Sequence, residues 1–484
     1  MILLRKTLFY VFLLIFLVGA PLIVFYALGY LYRPWKEQGI VKTGLIYLDS
    51  APRGAVVVLG KKRMNEQTPA ELHDLMPGRY EITLIRKGYQ PWKAVLPVAP
   101  GKATVIDKIL LLREKPELTV LSKGPYQKFF PVGDDSSFLL VGASGNLRFL
   151  RYDELKEKLE PFLETVEKEL AGASLEAVYE EPESPQIILR LKEGGRTVHL
   201  LLRAGLVSHR ARDISEILAA DYAGLNWDKD DERYLYPGRK NSLGRIDLET
   251  GSFTPEFIPD LRGYGFYHGY IYALKENGSF LRIDGGTASE QVILNDPIFF
   301  RAHFGESDFY KISVFSRNLI LFLSDSGRLL GNRLPYVYAE RDVRGLALSD
   351  ETREVLLWKE NGLGVLRFPR PGDESLFEKG PKITWIYENA NSVHQAFWVY
   401  EGSQILFRDS ETVFLIPRDS YGPHEATALF SVQKGSDIHY SDRSGNAYFL
   451  DPEGRFVTAK ILPKTQLGPL SLPEFEGLET KESE

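Results

Sequence analysis

The chain has no cysteine among its 484 residues and eight histidines, at 73, 199, 209, 268, 303, 394, 424 and 439. Without thiols there are no disulfides, thiolate zinc sites, iron–sulfur clusters or cysteine nucleophiles. The histidines show no metal-ligand spacing. His-Glu-x-x-His, Gly-x-Ser-x-Gly and a Walker loop are all missing. His268, His303 and His394 would form a site only if folding carried them to a shared face. Asn226 to Glu232 (NWDKDDE) sets carboxylates at alternate positions, as calcium loops do, but lacks the sixth-position glycine. It is read as a solvated turn. Gly263 to Gly269 (GYGFYHG) has one residue too many for a dinucleotide fingerprint and follows no βαβ pattern. It is read as a loop and strand start. The expectation is therefore no catalytic residue, no cofactor and no metal, in a binding protein rather than an enzyme.

Composition bounds what must position any site. Hydrophobic residues make up 44% of the chain and charged residues 26%, a globular balance. Tyr and Phe number 25 and 28 against 3 Met, and Gly and Pro number 42 and 28. Aromatic-rich, turn-rich chains lean toward strands. Charge is unevenly placed: Arg33 to Glu114 holds 14 basic and 8 acidic residues, a net of +6. Arg5 and Lys6 add two more, so a chain of net −6 leaves −14 on the remainder. That acidic body argues against nucleic acid as a partner.

Residues 7–32 (TLFYVFLLIFLVGAPLIVFYALGYLY) carry no charge. About 20 apolar residues in a helix cross a bilayer core. Pro21 is tolerated in such a helix, and Tyr30, Tyr32 and Trp35 lie where an interfacial aromatic belt falls. The run is longer than the core of a cleaved signal peptide, and Pro21 suits no cut after Gly19 and Ala20. The expectation is a signal anchor. Residues 1–6 form a cytoplasmic stub, 7–32 the transmembrane helix in contact with the lipid bilayer, and nearly all the rest lies outside the cytoplasm.

Residues 41–113 read as a small β-sandwich. An alternating strand, Gly44 to Asp49, precedes a turn at Pro52, Gly54 and Ala55. A Val-rich strand follows, then Thr68-Pro69, a Pro77-Gly78 turn, and Gly88, Tyr89 and Trp92. In this order the residues resemble the PEGA domain, a β-sandwich of bacterial and archaeal surface proteins. The eponymous glutamate of the turn is Arg53 here. The resemblance implies an extracytoplasmic module beside a membrane helix and brings no chemistry. The glycines serve turn angles, and Tyr89 and Trp92 pack on the sheet. Lys61, Lys62 and Arg63 form a basic hairpin tip.

Behind this module one unit recurs: an apolar strand, a polar turn, a second strand. Its turns fall at 145, 195, 244, 278, 327, 362, 411 and 445. The step of about 43 residues matches four-stranded propeller blades. Residues 126–463 thus resemble a β-propeller of seven or eight blades, without a repeated Trp-Asp signature. A β-sandwich array is the alternative. Asp153 to Leu170 has apolar residues at helical spacing, including Leu155, Leu159, Phe162, Leu163, Val166 and Leu170, and predicts one inserted amphipathic helix. Residues 464–484 predict a disordered tail.

The fold class expected is mainly β: a transmembrane helix, a PEGA-like sandwich and a propeller. The function expected is a cell-envelope binding or scaffold protein that presents the propeller to a protein, glycan or wall polymer. An extracytoplasmic glycan or peptide hydrolase or lyase is the alternative, because blades can contribute carboxylates without a linear motif. The ectodomain of a signalling complex is a third reading.

Overall fold

The structure is a computed structural model. It describes residues 2–27, 29–32, 40–132, 134–153, 156, 158–170, 172–181, 184, 186–203, 210–218, 222, 224–228, 231–295, 302–305, 308–316, 319–331, 339–349, 354–368, 382–388, 390–419 and 425–461. Its contacts divide into two units, one built on residues 1–116 and the other on 117–418 with 426–460.

The first unit opens with a helix over Ile2–Ala27. Within it Thr7–Phe25 is long and apolar enough to cross a membrane, and Phe12, Phe16 and Leu17 are uncovered. The helix stops short of the expected position 32. Gly29 takes φ +81°, a left-handed conformation that ends helices. Tyr30–Tyr32 then pairs antiparallel with Ile40–Lys42. Trp35 lies outside the described residues.

Two sheets follow. One holds Ala70–Leu75, Gly44–Ala51 and Ala103–Leu110. The other holds Lys62–Gln67, Val56–Leu59, Gly78–Ile85 and Trp92–Val98. Strand Gly44–Ala51 alternates buried and half-buried positions, so one face is core. Ile46, Leu48, Val57, Ile82, Leu84 and Leu96 are fully buried together. Each such side chain contributes about 1.5–3 kcal/mol by leaving water.

The second unit is a β-propeller. Its strands form six four-stranded antiparallel sheets and one eight-stranded sheet. The eight-stranded sheet is two four-stranded meanders joined where Gly263 and Tyr264 pair in parallel with Tyr310 and Lys311. Counted this way the described residues make up eight four-stranded units: 126–161, 174–213, 224–258, 261–295, 310–340, 343–388, 393–431 and 438–460. The eighth is completed by Glu117–Ser122, which pairs with Phe456–Lys460. The propeller therefore begins at Glu117 and not at 126. That strand hydrogen-bonds a partner more than 300 residues away, so no local pattern announces it.

Each neighbouring pair of blades shares a core. Leu139 and Phe149 meet Ile187 and Leu189 between the first two. Ile188 and Leu201 meet Trp227 and Leu235 at the next junction. Tyr236 meets Ile271, and Phe280 meets Ile312. Leu321 meets Val355, and Leu356 meets Phe407. Phe430 stacks on Phe449 at 4.2 Å between blades seven and eight. Phe138 packs against Tyr448 and Phe456, which joins blade one to blade eight and closes the ring.

Seven of the eight sequence turns fall at or beside the second hairpin of a blade. The eighth differs: Gly445 joins Ile438–Ser441 to Asn446–Leu450, the first hairpin of its blade. The equivalent turn is at Gly454. The expected helix also differs. Lys158–Pro161 is a strand paired with Leu150 to Asp153, and the helix covers only Glu164–Glu169. Leu159 packs on one core, while Phe162, Leu163, Val166 and Leu170 pack on another. The free edge of the blade sheet outweighs helical periodicity over 158–161, because each ladder bond satisfies a polar group that would otherwise lie idle. Leu155 and the tail beyond Ile461 lie outside the described residues.

Candidate interaction surface on the inner strands

The first strand of each blade forms its inner edge. In blades four and five these edges meet directly. A Cβ on Gly265 would lie 1.8 Å from the Ile312 carbonyl oxygen, and one on Gly263 would lie 2.5 Å from that of Tyr310. Gly263 and Gly265 thus serve close backbone approach inside Leu261–Tyr267, a strand and not a loop, whereas Gly269 lies beyond the strand at φ +77° with open space around it.

Polar side chains from blades two, seven and eight lie on or next to these inner strands, with Arg408 on the second strand of blade seven. Glu180 ends Ser174–Glu180. Its side chain is open to water yet crowded by protein, and burial followed by the Asp437 charge pushes its carboxyl up, with His439 opposing. Arg408 is buried, donates to the Ser436 carbonyl, and lies 3.8 Å from the Asp437 carboxylate. Gln395 accepts a bond from the Ile438 amide at 2.9 Å, which ties blades seven and eight. His394 is pushed down by burial and by Arg408 and Arg344, with Asp437 opposing. His439 sits edge-on to Phe138 at 5.9 Å. Together these groups offer acceptors, a guanidinium and a carboxyl pushed up from its ordinary value.

A second group lies on blades three to five. Tyr264 meets Phe266 at 5.9 Å and Phe309 at 5.7 Å, and all three rings are partly exposed. Burial raises the Tyr264 hydroxyl, with Glu181 adding to the rise and a bond to Asn226 opposing it. Half-exposed rings beside amide and carboxylate groups form a surface that stacks on and hydrogen-bonds polar chains.

The residues singled out in the sequence are mostly structural here. Thr68 is buried, accepts the Ala55 amide at 3.0 Å and shares a 2.6 Å bond with Ser50. The Gly54 amide reaches the Thr68 carbonyl at 2.7 Å, with Gly54 at φ +85°. Pro52 and Pro69 flank this knot. Pro77 precedes Gly78, the first residue of its strand. Gly88 takes φ +80° before Tyr89, whose ring is flanked by Arg86 and Arg113 at 5.6 and 5.9 Å. Trp92 packs on the sandwich core.

The acidic run is split among separate bonds. Asp228 accepts the Gly269 amide at 2.6 Å, Asp231 accepts the Arg233 amide at 3.1 Å, and Glu232 pairs with Arg203 at 2.9 Å. Lys229 and Asp230 lie outside the described residues. Among the described residues no three His, Asp or Glu side chains are grouped to hold a metal. His268 follows an inner strand, His303 precedes one and His394 lies near the start of another, and among the described residues no metal-holding group includes them. His209 and His424 lie outside the described residues.

Sequence reading missed two things. Glu180, Arg408 and the pair Asp437 and His439 come from three different blades and leave no motif. Arg245-Ile-Asp247…Thr250…Ser252 recurs as Arg282-Ile-Asp284…Thr287…Ser289, a signal that was legible. In each copy the aspartate caps the turn between the third and fourth strands. Asp247 accepts the Thr250 amide at 3.2 Å, and Asp284 that of Thr287 at 2.7 Å.

Residues 43–112 match the PEGA domain family. The chain thus joins a PEGA domain to a β-propeller. No curated relative matches it by sequence. Among solved structures it is similar to the C-terminal WD40 domain of Sif2, at 11% identity and TM-score 0.45, covering 72% of this chain and 99% of that one. BamB from Moraxella catarrhalis is similar at 12% identity and TM-score 0.41, with coverage of 73% and 99%. The assignment of eight blades rests on the strand pairing above.

Proposed function

We propose that this protein is a membrane-anchored binding or scaffold protein of the cell envelope. Thr7–Phe25 spans the bilayer with the N-terminus cytoplasmic, and the PEGA domain and propeller lie outside the cytoplasm. The inner strands engage a protein, glycan or wall polymer. The observation that carries this reading is the pairing of an uncovered apolar helix with a ring whose inner edges carry half-exposed rings and polar groups. Such surfaces recognise chains with both apolar and hydroxylated or amide faces. A photo-crosslinking residue at Tyr264 in the full chain, expressed in cells, should give adducts with an envelope component. The same residue at Phe253, on an outer strand, should not. Equal labelling at both sites, or none at Tyr264, would sink the reading.

A second reading is an extracytoplasmic hydrolase or lyase, favoured by one feature: burial and then the Asp437 charge push the Glu180 carboxyl up, with His439 opposing, and up is the direction a general acid needs. Turnover of a glycan or peptide that Glu180→Gln abolishes while binding persists would decide for it.

A further inference from the structure

The topology of the first unit gives its sandwich a helix end and a far end. The Thr43 amide and hydroxyl both donate to the Gly29 carbonyl, at 2.7 and 2.9 Å, so strand Gly44–Ala51 starts at the close of the helix. The Gly101 amide reaches the Thr43 carbonyl at 2.8 Å, which puts the turn before Ala103 at the same end. Gly44 pairs with Leu75, and Gly78 with Val98, so strand Gly78–Ile85 also begins there. Strand Val56–Leu59 runs opposite to it, with Leu59 against Ile82. The Lys61 tip therefore points toward the helix end as well.

Cations at the two ends behave differently. At the far end Arg53 pairs with Asp49 at 3.0 Å, Arg86 donates to the Arg53 carbonyl, and Arg86 and Arg113 flank Tyr89. At the helix end the side chains of Lys61, Lys62, Arg79 and Lys102 are exposed and engage no acceptor among the described residues. Lys42 Nζ lies 5.6 Å from the Tyr30 ring centre. Among the described residues Asp74 and Glu81 are the acidic groups at this end. Only residues 26–28 separate the apolar stretch from Gly29, roughly 6 Å along a helix and inside one Debye length.

We propose that the helix end of the PEGA domain docks on the phosphates of anionic phospholipids in the bilayer that its own helix crosses. Lys61, Lys62, Arg79 and Lys102 are the contacts, and Tyr30 with Lys42 sits at the headgroup level. Anionic headgroups attract such basic segments, and the attraction fades with salt. The inference rests on the membrane anchor proposed above.

The chain has no cysteine, so single-site labelling is clean. Full-length Ala103→Cys and Glu114→Cys, each carrying a fluorophore, are reconstituted in vesicles with headgroup spin-labelled lipid, with or without phosphatidylglycerol. Strand Ala103–Leu110 runs roughly 23 Å from position 103 toward the far end, where position 114 follows it. Position 103 should be quenched and position 114 should not, with quenching strongest in anionic vesicles. Added salt, or the combined Lys61→Gln, Lys62→Gln, Arg79→Gln and Lys102→Gln variant, should lower it to the level in phosphatidylcholine alone. If the chain resists alkaline extraction yet position 103 is unquenched, or is quenched equally in neutral vesicles, docking fails and the anchor stands. If quenching is lost only when soluble polyphosphate is added, and lipid charge has no effect, the surface takes another anion and the proposal falls. A chain released by alkaline extraction overturns the anchor and this inference together.

Discussion

The two β units end their sheets in opposite ways. The sandwich stacks two short sheets and leaves strands such as Lys62–Gln67 and Trp92–Val98 as edges, with charged or proline-bearing positions to discourage pairing. The propeller has an inner and an outer edge on every blade and gains cooperativity by closing on itself through Glu117–Ser122. One unit therefore depends on a single local core, the other on a ring of eight shared ones. Damage to the sandwich should stay local, whereas damage at one blade junction should spread around the ring.

The sharpest test of that contrast compares two core truncations. Phe138→Ala, at the junction that closes the ring, should cost about 3–5 kcal/mol, and Ile82→Ala in the sandwich about 2–5 kcal/mol. Hydrogen exchange should show protection lost across most blades in the first and only within residues 41–113 in the second. Exchange confined to blades one and eight after Phe138→Ala would break the comparison. Next, Gly265→Ala should cost about 3 kcal/mol, because the new methyl meets a backbone carbonyl that cannot rotate aside. Gly60 faces open space, so Gly60→Ala should cost about 1 kcal/mol, from its φ of +59° alone. Thermal melts of the two variants check this pair.

Smaller effects follow from charge. The Arg233 hydrogen bond, helped by the Glu249 and Thr250 amides, holds the Asp247 carboxyl well below the usual range. A depressed carboxyl adds stability above its unfolded value and loses it as pH falls through the folded one. Asp247→Asn should therefore lower the melting temperature at neutral pH, and the gap should close in strong acid. Glu180 has the opposite sign. Its raised carboxyl favours the fold when protonated, and that contribution is lost as pH rises through the folded value. Glu180→Gln should raise stability at neutral pH by only about 0.5 kcal/mol or less, because water reaches the group. The gain should vanish below the ordinary glutamate range. Melting curves across pH read both signs.

Much of the architecture was legible because it is local. The turn chemistry of Gly54, Gly78 and Gly88 and the alternation in Gly44–Ala51 mark the sandwich, and hairpins at a steady step mark the blades. The candidate surface was not legible. Glu180 and Asp437 are 257 positions apart in sequence, and each alone reads as one more surface carboxylate. The helix expected over 153–170 shows the same limit at the level of secondary structure. Helical periodicity is a weak preference, and an unpaired strand edge beside Lys158–Pro161 overrode it.

By itself, then, the sequence determined the order of parts, the apolar helix, the sandwich and the repeat, because periodicity, turn residues and charge act over a few neighbours. Only the tertiary structure decided which strand closes the ring, which hairpin is equivalent in the last blade, which distant carboxylates influence each other and which cations, among the described residues, engage no acceptor. Those outcomes depend on contacts between residues far apart in the chain, and such contacts are set by packing rather than by local pattern.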